Sequence, residues 1–169
     1  HILLLERLEA GESETEAAHL DLASILSEVA DDASFEASAA GREVILESGD
    51  AYPVLGWPNL VRSALDNVLR NAIRHTPEGT AVEVSLERGG DRATVTVRDH
   101  GPGVPDEHLD SLFEPFTRVA EARDRSSGGA GLGLAITRRA VEMHGGTVFA
   151  ANHPDGGLVV TIRLPKTEV

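Results

Sequence analysis

Four segments in the second half of the chain alternate apolar and polar residues, and they occur as two pairs. Residues 81–87 and 92–98 flank the turn residues 89–91, and residues 147–151 and 158–164 flank a second turn. This alternation predicts strands with one buried face, and the short intervals predict hairpins. Because hairpin strands do not alternate strictly with helices, the pattern argues against a doubly wound parallel sheet.

Three longer segments repeat apolar residues at helical spacing. The first covers residues 21–40 and begins at Asp21, which suits an N-cap. The second begins at Pro58 and is stopped by Pro77, and the third covers residues 132–144. Together with the strands, these helices predict a two-layer α/β sandwich with a mixed, mainly antiparallel sheet covered on one face by helices.

Shorter elements complete the expected fold. Residues 43–47 and 52–55 have the composition of strands, and the second is expected at an edge because Pro53 has no amide hydrogen. Residues 106–113 predict a short helix. The segment 118–131 has hardly any large apolar residue and is expected to be mobile without a ligand.

The first 20 residues differ in character from the rest. Residues 1–12 have helical spacing but no N-cap, which predicts the C-terminal end of a longer helix. Residues 13–20 are mostly polar and acidic, as in a linker. Residues 21–169 are then expected to form one domain, which is enough chain for a sizeable core.

Charge and composition exclude several functions. The net charge of −13 repels nucleic acids and anionic lipids, so no nucleic-acid partner is expected. The chain has no cysteine, its histidines are scattered without an HExxH pattern, and no apolar run is long enough to cross a membrane. Because the net charge is negative, an anionic ligand would have to be held by a local arrangement of donors.

Four polar residues share one sector of the helix that begins at Pro58. Asn67, Asn71, Arg74 and His75 follow one another at spacings of four, three and one. Amide side chains do not titrate, and a pair of them can hold a hard cation or a polyphosphate in fixed geometry. The alternative is that two asparagines merely flank a buried face on a solvated helix.

A turn follows directly after the strand 92–98. Its sequence, Asp99-His-Gly-Pro-Gly103, lets the backbone approach a ligand closely and offers a carboxylate that can accept from an amino group. Because Asp, Gly and Pro are also the usual turn formers, an ordinary turn is the alternative.

A glycine-rich loop, residues 128–134, precedes the last predicted helix. Such a loop aims backbone N–H groups and the positive end of the helix dipole at phosphate oxygens. The glycines follow a polar loop instead of a strand, which argues against a Rossmann fingerprint, and no Gly-Lys-Ser or Gly-Lys-Thr of a Walker motif occurs.

Taken together, these motifs resemble the ATP-binding catalytic domain of bacterial sensor histidine kinases, within the superfamily of the gyrase, Hsp90 and MutL ATPases. Residues 66–77 resemble the N box, residues 99–103 the G1 box, residues 112–118 the F box and residues 129–134 the G2 box. The resemblance covers residues 20–165 and implies the Bergerat fold, with ATP and Mg²⁺ as cofactors.

The resemblance also implies roles for individual residues. Asn71 would coordinate Mg²⁺, Asn67, Arg74 and His75 would line the triphosphate, and Asp99 would accept from the adenine amino group. The remaining expected site residues are two glycines beside the base, two phenylalanines that anchor a lid, an arginine that reaches the phosphates and a phosphate-side hinge: Gly101, Gly103, Phe113, Phe116, Arg118, Gly129, Gly131, Leu132, Gly133 and Leu134.

Position 67 distinguishes transfer from hydrolysis. Related ATPases place a glutamate there as the base that activates water, and an amide cannot take that proton. Asn67 therefore favours transfer of the γ-phosphoryl group to a histidine. The usual acceptor motif is absent from this chain, so the expected partners are the protein's own dimerisation and phosphoacceptor domain and a response regulator.

The resemblance further implies a cytoplasmic domain of a membrane-anchored homodimer, monomeric in isolation. Two other functions remain open at this stage. One is a serine kinase of the anti-sigma type, which shares the N and G boxes. The other is a nucleotide-sensing module that binds ATP without transferring phosphate.

Overall fold

The computed structural model describes residues 2–9, 16–116 and 131–167. Four α-helices and seven β-strands lie in these ranges, together with two short 3-10 helices at Asp106–His108 and Asp110–Phe113. In chain order the elements are α1 (Ile2–Glu9), β1 (Ala18–Asp21), α2 (Leu22–Ala39), β2 (Glu43–Ser48), β3 (Pro53–Gly56), α3 (Pro58–His75), β4 (Ala81–Gly89), β5 (Arg92–Arg98), α4 (Gly133–Met143), β6 (Thr147–Asn152) and β7 (Leu158–Pro165).

The main sheet has five strands in the order β2-β4-β5-β7-β6. β2 and β4 are parallel, with Val44 opposite Val82, and the other three pairs are antiparallel. Both predicted hairpins are present as β4-β5 and β6-β7. The predicted mixed, mainly antiparallel sheet is therefore confirmed.

The helices α2, α3 and α4 cover one face of this sheet. Inward residues of the strands and the apolar arcs of the helices form one core, in which Leu26, Leu65, Leu69, Ile136 and Ile162 are at most 1% exposed. The opposite face carries the polar members of the alternating strands. This is the two-layer sandwich that the sequence predicts.

The ends of the long helices are set by local chemistry. Asp21 is the N-cap of α2, and its carboxylate accepts hydrogen bonds from the backbone N–H of Ala23 at 3.1 Å and the hydroxyl of Ser24 at 2.8 Å. Pro58 occupies the first turn of α3, where its missing N–H costs nothing. That helix ends at His75, because Thr76 precedes Pro77 and takes an extended conformation.

Two details correct the expectations from sequence. A strand, β1, begins at Ala18 inside the predicted linker and pairs antiparallel with β3, so Asp21 lies opposite Pro53. β1 and β3 form a separate two-stranded sheet, which is consistent with the edge position expected from Pro53. The predicted short helix over 106–113 is two 3-10 turns meeting at Leu109.

The N-terminal helix α1 packs against the domain and does not stand apart from it. Leu5 is 7% exposed and joins the hydrophobic core, and α1 contacts α4. On the other side, Ile2 and Leu3 remain largely exposed. None of the helices among the described residues is long and apolar enough to span a bilayer.

Candidate functional site

The polar residues of α3 lie along the border of its buried arc, as the spacing predicts. Asn67 and Asn71 are half-buried, whereas Arg74 and His75, one turn further on, are exposed. The Nδ2 atom of Asn67 is buried and has no hydrogen-bond partner among the described residues. A buried amide donor is costly without a partner, so this atom marks a position where a ligand oxygen would be favourable.

The pKa of the His75 imidazole is shifted in opposite directions by the groups around it. Although the residue is more than a third exposed, desolvation by the surrounding protein is the main cause that lowers its pKa below the usual value. Asp99 acts in the opposite direction, and Arg74 lowers the pKa further. His75 therefore lies between the cationic end of α3 and the carboxylate of the following turn.

Asp99 stands at the end of β5 and is 2% exposed. Its Oδ1 accepts hydrogen bonds from the backbone N–H of Gly101 at 2.9 Å and of Leu158 at 3.1 Å. Its own N–H donates to the carbonyl oxygen of Leu158 at 3.0 Å. Both amides bind one carboxylate oxygen, so Oδ2 is left as an acceptor for a ligand.

The turn after Asp99 is pressed against the end of α3. A Cβ atom on Gly101 would lie 2.5 Å from the carbonyl oxygen of His75, so only glycine fits at this close approach. Gly103 has a φ of +71°, in the left-handed region. The structure therefore brings together two of the sequence-predicted motifs, the polar row of α3 and the turn 99–103.

The start of α4 completes the group. A Cβ atom on Gly133 would lie 3.6 Å from Oδ1 and Cγ of Asn67, so the N-terminus of α4 faces that side chain. Leu132 is the N-cap and is 2% exposed, and the first hydrogen bond of this turn runs from Ile136 N–H to its carbonyl oxygen. The N–H groups of the preceding first-turn residues, including Leu134, have no partner inside the helix, which makes this end an anion site by its dipole.

The two phenylalanines of the predicted F box have different environments. Phe113 is 5% exposed and joins the core, as expected of an anchor. Phe116 is 64% exposed and has a φ of +62°, so its ring lies at the surface, and its role as an anchor of a lid stays a prediction. Its backbone N–H instead donates to the carbonyl oxygen of Gly131 at 3.0 Å. The ring therefore faces solvent, while this backbone hydrogen bond joins Phe116 to Gly131.

Several sequence-predicted positions lie outside the described residues. They are Arg118, Gly129 and nearly all of the segment 118–131, which the sequence predicts to be mobile without a ligand. Their roles stay predictions.

Sequence reasoning missed three residues that hold this site in place. Thr76 and Thr137 are fully buried, and their hydroxyls bond to neighbouring elements. Asn152, at the end of β6, accepts from Val104 N–H at 2.9 Å and donates to Val104 carbonyl oxygen at 2.5 Å and to Asp106 Oδ1 at 3.1 Å. No periodicity marks these residues, although the position of Thr76 directly before Pro77 indicates that the helix ends there.

The donor set suits a nucleotide with its magnesium ion better than a metal held by protein alone. Within residues 2–9, 16–116 and 131–167, no three His, Asp or Glu side chains lie together as metal ligands. Mg²⁺ commonly takes one or two protein oxygens and completes its shell with phosphates and water, a role open to the Asn71 amide oxygen. The unpartnered Asn67 amide and the α4 N-terminus are suitable donors for phosphate oxygens.

Known proteins resemble this chain in sequence. The family model described as "Histidine kinase-, DNA gyrase B-, and HSP90-like ATPase" matches residues 57–168. The sensor histidine kinase CpxA of Escherichia coli strain K12 is 46% identical over 140 residues, which are 82% of this chain and 30% of that protein. The signal transduction histidine-protein kinase BaeS of the same strain is 39% identical over 116 residues, 69% of this chain and 25% of that protein. The chain thus spans less than a third of the length of these relatives.

Solved structures resemble it in fold. The mycobacterial sensor histidine kinase MprB superimposes with a TM-score of 0.78 at 26% identity, over 90% of this chain and 99% of that one. Full-length ShkA in complex with AMPPNP superimposes with a TM-score of 0.82 at 28% identity, over 99% of this chain and 35% of that one. The chain belongs to the histidine kinase-, DNA gyrase B- and HSP90-like ATPase family, and its relatives are sensor histidine kinases.

Proposed function

We propose that this chain is the ATP-binding catalytic domain of a sensor histidine kinase. It binds Mg·ATP and transfers the γ-phosphoryl group to a histidine on a separate dimerisation domain. The observation that carries the proposal is the environment of Asn67, whose side chain faces the N-terminus of α4 and whose buried Nδ2 has no hydrogen-bond partner in the part of the chain that the structure describes. That position offers a donor to phosphate and holds no base that could activate water.

Recognition of adenine is assigned to Asp99. Its Oδ1 is fixed by two backbone amides, so Oδ2 has a defined direction and no need to reorganise when it accepts from the exocyclic amino group of the base. Guanine carries a carbonyl oxygen at the corresponding position, and an oxygen facing a carboxylate would leave both acceptors unpaired. The buried carboxylate therefore selects adenine.

The phosphates are assigned to the end of α3 and the N-terminus of α4. Arg74 and Arg118 would neutralise part of their charge, and His75 and the amides at residues 132–134 would donate hydrogen bonds to them, with Gly129, Gly131 and Gly133 giving the loop its path. Asn71 would hold Mg²⁺, which supplies charge neutralisation at the β- and γ-phosphates when bound. The net charge of −13 makes such local donors necessary.

The transfer needs little acid–base chemistry from this domain. An unprotonated imidazole nitrogen of the acceptor attacks the γ-phosphorus, a P–N bond forms, the bond to the β-phosphate oxygen breaks and ADP leaves with its electron pair. The work of the domain is to position the phosphoryl group and stabilise its charge. Asn67 would contribute a hydrogen bond to phosphate. Because an amide stands at this position, no carboxylate is there to activate a water molecule for hydrolysis.

The proposal includes partners that this chain does not contain. A dimerisation and phosphoacceptor domain would precede it in a membrane-anchored homodimer, with this domain in the cytoplasm and monomeric by itself. A response regulator would receive the phosphoryl group from the acceptor histidine. Support comes from the relatives, which are sensor histidine kinases and of which this chain covers less than a third.

A transfer assay tests the function. The chain is mixed with a dimerisation domain of the same kinase, γ-labelled ATP and Mg²⁺, and the labelled protein is treated with acid or alkali. The expected product is a phosphoramidate, labile in acid and stable in alkali. An acid-stable product would support a serine kinase, and tight binding of Mg·ATP without transfer would support a nucleotide-sensing module.

A further inference from the structure

A chain of hydroxyl hydrogen bonds, centred on a buried threonine, joins the end of α3 to the turn that carries Asp99. The Oγ1 of Thr76 lies 3.1 Å from the backbone nitrogen of His100 and 2.8 Å from Oγ1 of Thr80. Oγ1 of Thr80 lies 2.5 Å from the carbonyl oxygen of Pro77. Thr76 itself is 0% exposed.

The direction of each bond in this chain follows from the groups at its ends. The carbonyl oxygen of Pro77 can only accept, so Thr80 donates to it. Thr80 has no second proton, so Thr76 donates to Thr80 and its own oxygen accepts from His100 N–H. The hydroxyl of Thr76 is thus used as both donor and acceptor, and a hydrophobic residue of equal size could replace neither bond.

The backbone of Thr76 is held as well as its side chain. Its N–H caps α3 by donating to the carbonyl oxygen of Ala72 at 2.9 Å, and its carbonyl oxygen accepts from Nε of Arg42 at 2.6 Å. Arg42 lies just after α2, so three parts of the fold meet at this residue. The hydroxyl of Thr76 therefore has a fixed position when it meets the turn.

The turn is thereby placed between two sets of contacts. Asp99 Oδ1 is bound by the amides of Gly101 and Leu158, which orients the carboxylate relative to β7. The contact between His100 and Thr76 sets where the same turn lies relative to α3 and its phosphate-side residues. Loss of the second contact would leave the carboxylate bonded to β7, and the turn would then be held against α3 only by the packing of Gly101 on the carbonyl group of His75.

We propose that Thr76 is the positioning residue that sets base selectivity, because its hydroxyl holds the His100 amide and so fixes Asp99 at the distance from α3 that an adenine nucleotide requires. This inference rests on the proposed nucleotide-binding function. Discrimination between adenine and guanine depends on a firmly held carboxylate, since a displaced one can turn away from the carbonyl oxygen of guanine.

Nucleotide affinities of matched variants test this role. Kd values for Mg·ADP and Mg·GDP are measured by calorimetry for the wild type, Thr76→Val, Thr76→Ser and Thr161→Val. Valine keeps the volume and removes the hydroxyl, serine keeps the hydroxyl, and Thr161 is a buried threonine on β7 whose change controls for the loss of any buried hydroxyl. We expect Thr76→Val to weaken Mg·ADP binding about tenfold, with a smaller change for Mg·GDP, so the preference for adenine falls.

The controls separate positioning from stability. Thr76→Ser and Thr161→Val are expected to keep the wild-type ratio of the two Kd values, whatever their unfolding midpoints. An unchanged ratio in a folded Thr76→Val, or a ratio that falls equally in Thr161→Val, overturns the inference while leaving the proposed function intact. Failure of the wild type to bind Mg·ADP is a different result, because it contradicts the proposed function first and this inference with it.

A second measurement serves if Thr76→Val does not fold. Exchange of the His100 amide hydrogen is followed by NMR in the wild type and in Thr76→Ser, with and without Mg·ADP. The His100 amide is expected to exchange slowly in both proteins and in both states, because its bond to position 76 is part of the fold and not a result of ligand binding. Fast exchange of the His100 amide in the Mg·ADP complex would overturn the inference.

Discussion

The Oγ1 atom of Thr137 on α4 lies 3.0 Å from the carbonyl oxygen of Ala64 on α3 and 3.2 Å from that of Gly133. Ala64 is one turn before Asn67, and Gly133 is the first residue of α4. A single buried hydroxyl therefore fastens the N-terminus of α4 to the helix that carries the asparagines. This contact is one of those that set the spacing between the expected phosphate donors, together with the apolar packing of α3 on α4.

Replacement of Thr137 by valine is expected to lower the free energy of unfolding by about 1 kcal/mol, because a buried hydrogen bond is lost without a large change in volume. Urea unfolding followed by circular dichroism measures this. Thr137→Ser keeps the hydroxyl and serves as the control. Equal stability of wild type and Thr137→Val would mean that the hydroxyl contact contributes nothing.

Asp99→Asn tests the assignment of the adenine base. An asparagine can still accept from Gly101 and Leu158 through Oδ1, but it places an NH₂ group where the ligand's amino group must donate. Binding of Mg·ADP is expected to weaken about 100-fold by calorimetry, since two donors would face each other. Asp155→Asn, an exposed change, should bind as the wild type does. Unchanged affinity in Asp99→Asn would refute the assignment.

Asp21 links the start of α2 to the residue before β3. Its burial alone would raise the pKa, but hydrogen bonds from the N–H of Tyr52, the hydroxyl of Ser24 and the N–H of Ala23 outweigh this and lower the pKa of the carboxyl. A lowered pKa stabilises the fold at pH values above about 3.8, and the contribution is lost as the pH falls through the folded value.

Asp21→Ala is therefore expected to lower the free energy of unfolding by about 1–2 kcal/mol at neutral pH. The difference between the variant and the wild type should shrink as the pH falls below 3.8, because the unfolded chain then binds a proton that the native carboxylate, with its lower pKa, does not yet bind. Urea unfolding at pH 7 and pH 3 gives both values. A difference that stays constant over this range would contradict the role of the charged carboxylate.

The imidazole of His144 connects α4 to the start of α3. Nδ1 lies 2.6 Å from the carbonyl oxygen of Ala140, and Nε2 lies 3.1 Å from the backbone nitrogen of Trp57, whose ring meets the imidazole edge-on at 5.3 Å between centroids. Nε2 must accept from the Trp57 N–H, so Nδ1 carries the proton and the ring is neutral. Burial lowers the pKa of His144, and the bond to Ala140 opposes that shift.

The native state thus prefers the neutral form of His144. Its contribution to stability is complete above the ordinary value of 6.5 and decreases as the pH falls from there towards the lower folded pKa. The free energy of unfolding should therefore decline between pH 7.5 and about pH 5, and His144→Gln should make that decline shallower. The exposed His108→Gln is the control. A His144→Gln variant with the same slope as the wild type would refute this linkage.

Much of the fold is readable from the sequence because it depends on regular patterns. The alternation in β4, β5 and β7 and the apolar arc of α3 place residues such as Val84, Val95 and Leu65 in the core. β1 escaped prediction because its four residues, beginning at Ala18, are too few to show a period, and their pairing with β3 is long-range. The two 3-10 turns around Leu109 were predicted as one short α-helix. Over so few residues, the sequence pattern of a 3-10 turn is the same as that of an α-helical turn.

The sequence predicts the motifs of the site but not the residues that hold those motifs in place. Asn67 and Asp99 stand out by their spacing and by the turn residues around them. Thr76 and Asn152 act through contacts to residues 24 and 48 positions away, which no local pattern encodes. The exposure of Phe116 likewise follows from one left-handed backbone angle that a phenylalanine rarely adopts.

The fate of the γ-phosphoryl group tests the central claim most directly. Wild type, Asn67→Glu and Asn67→Gln are each incubated with γ-labelled Mg·ATP and the phosphoacceptor domain, quenched, and separated into phosphohistidine and inorganic phosphate. We expect the wild type to label histidine with little inorganic phosphate, and Asn67→Glu to release phosphate at least about tenfold faster than Asn67→Gln, because only glutamate of the two can activate water. Rapid hydrolysis by the wild type without histidine labelling, or equal phosphate release by the two variants, would contradict the assignment of Asn67 and of this domain as a phosphotransferase.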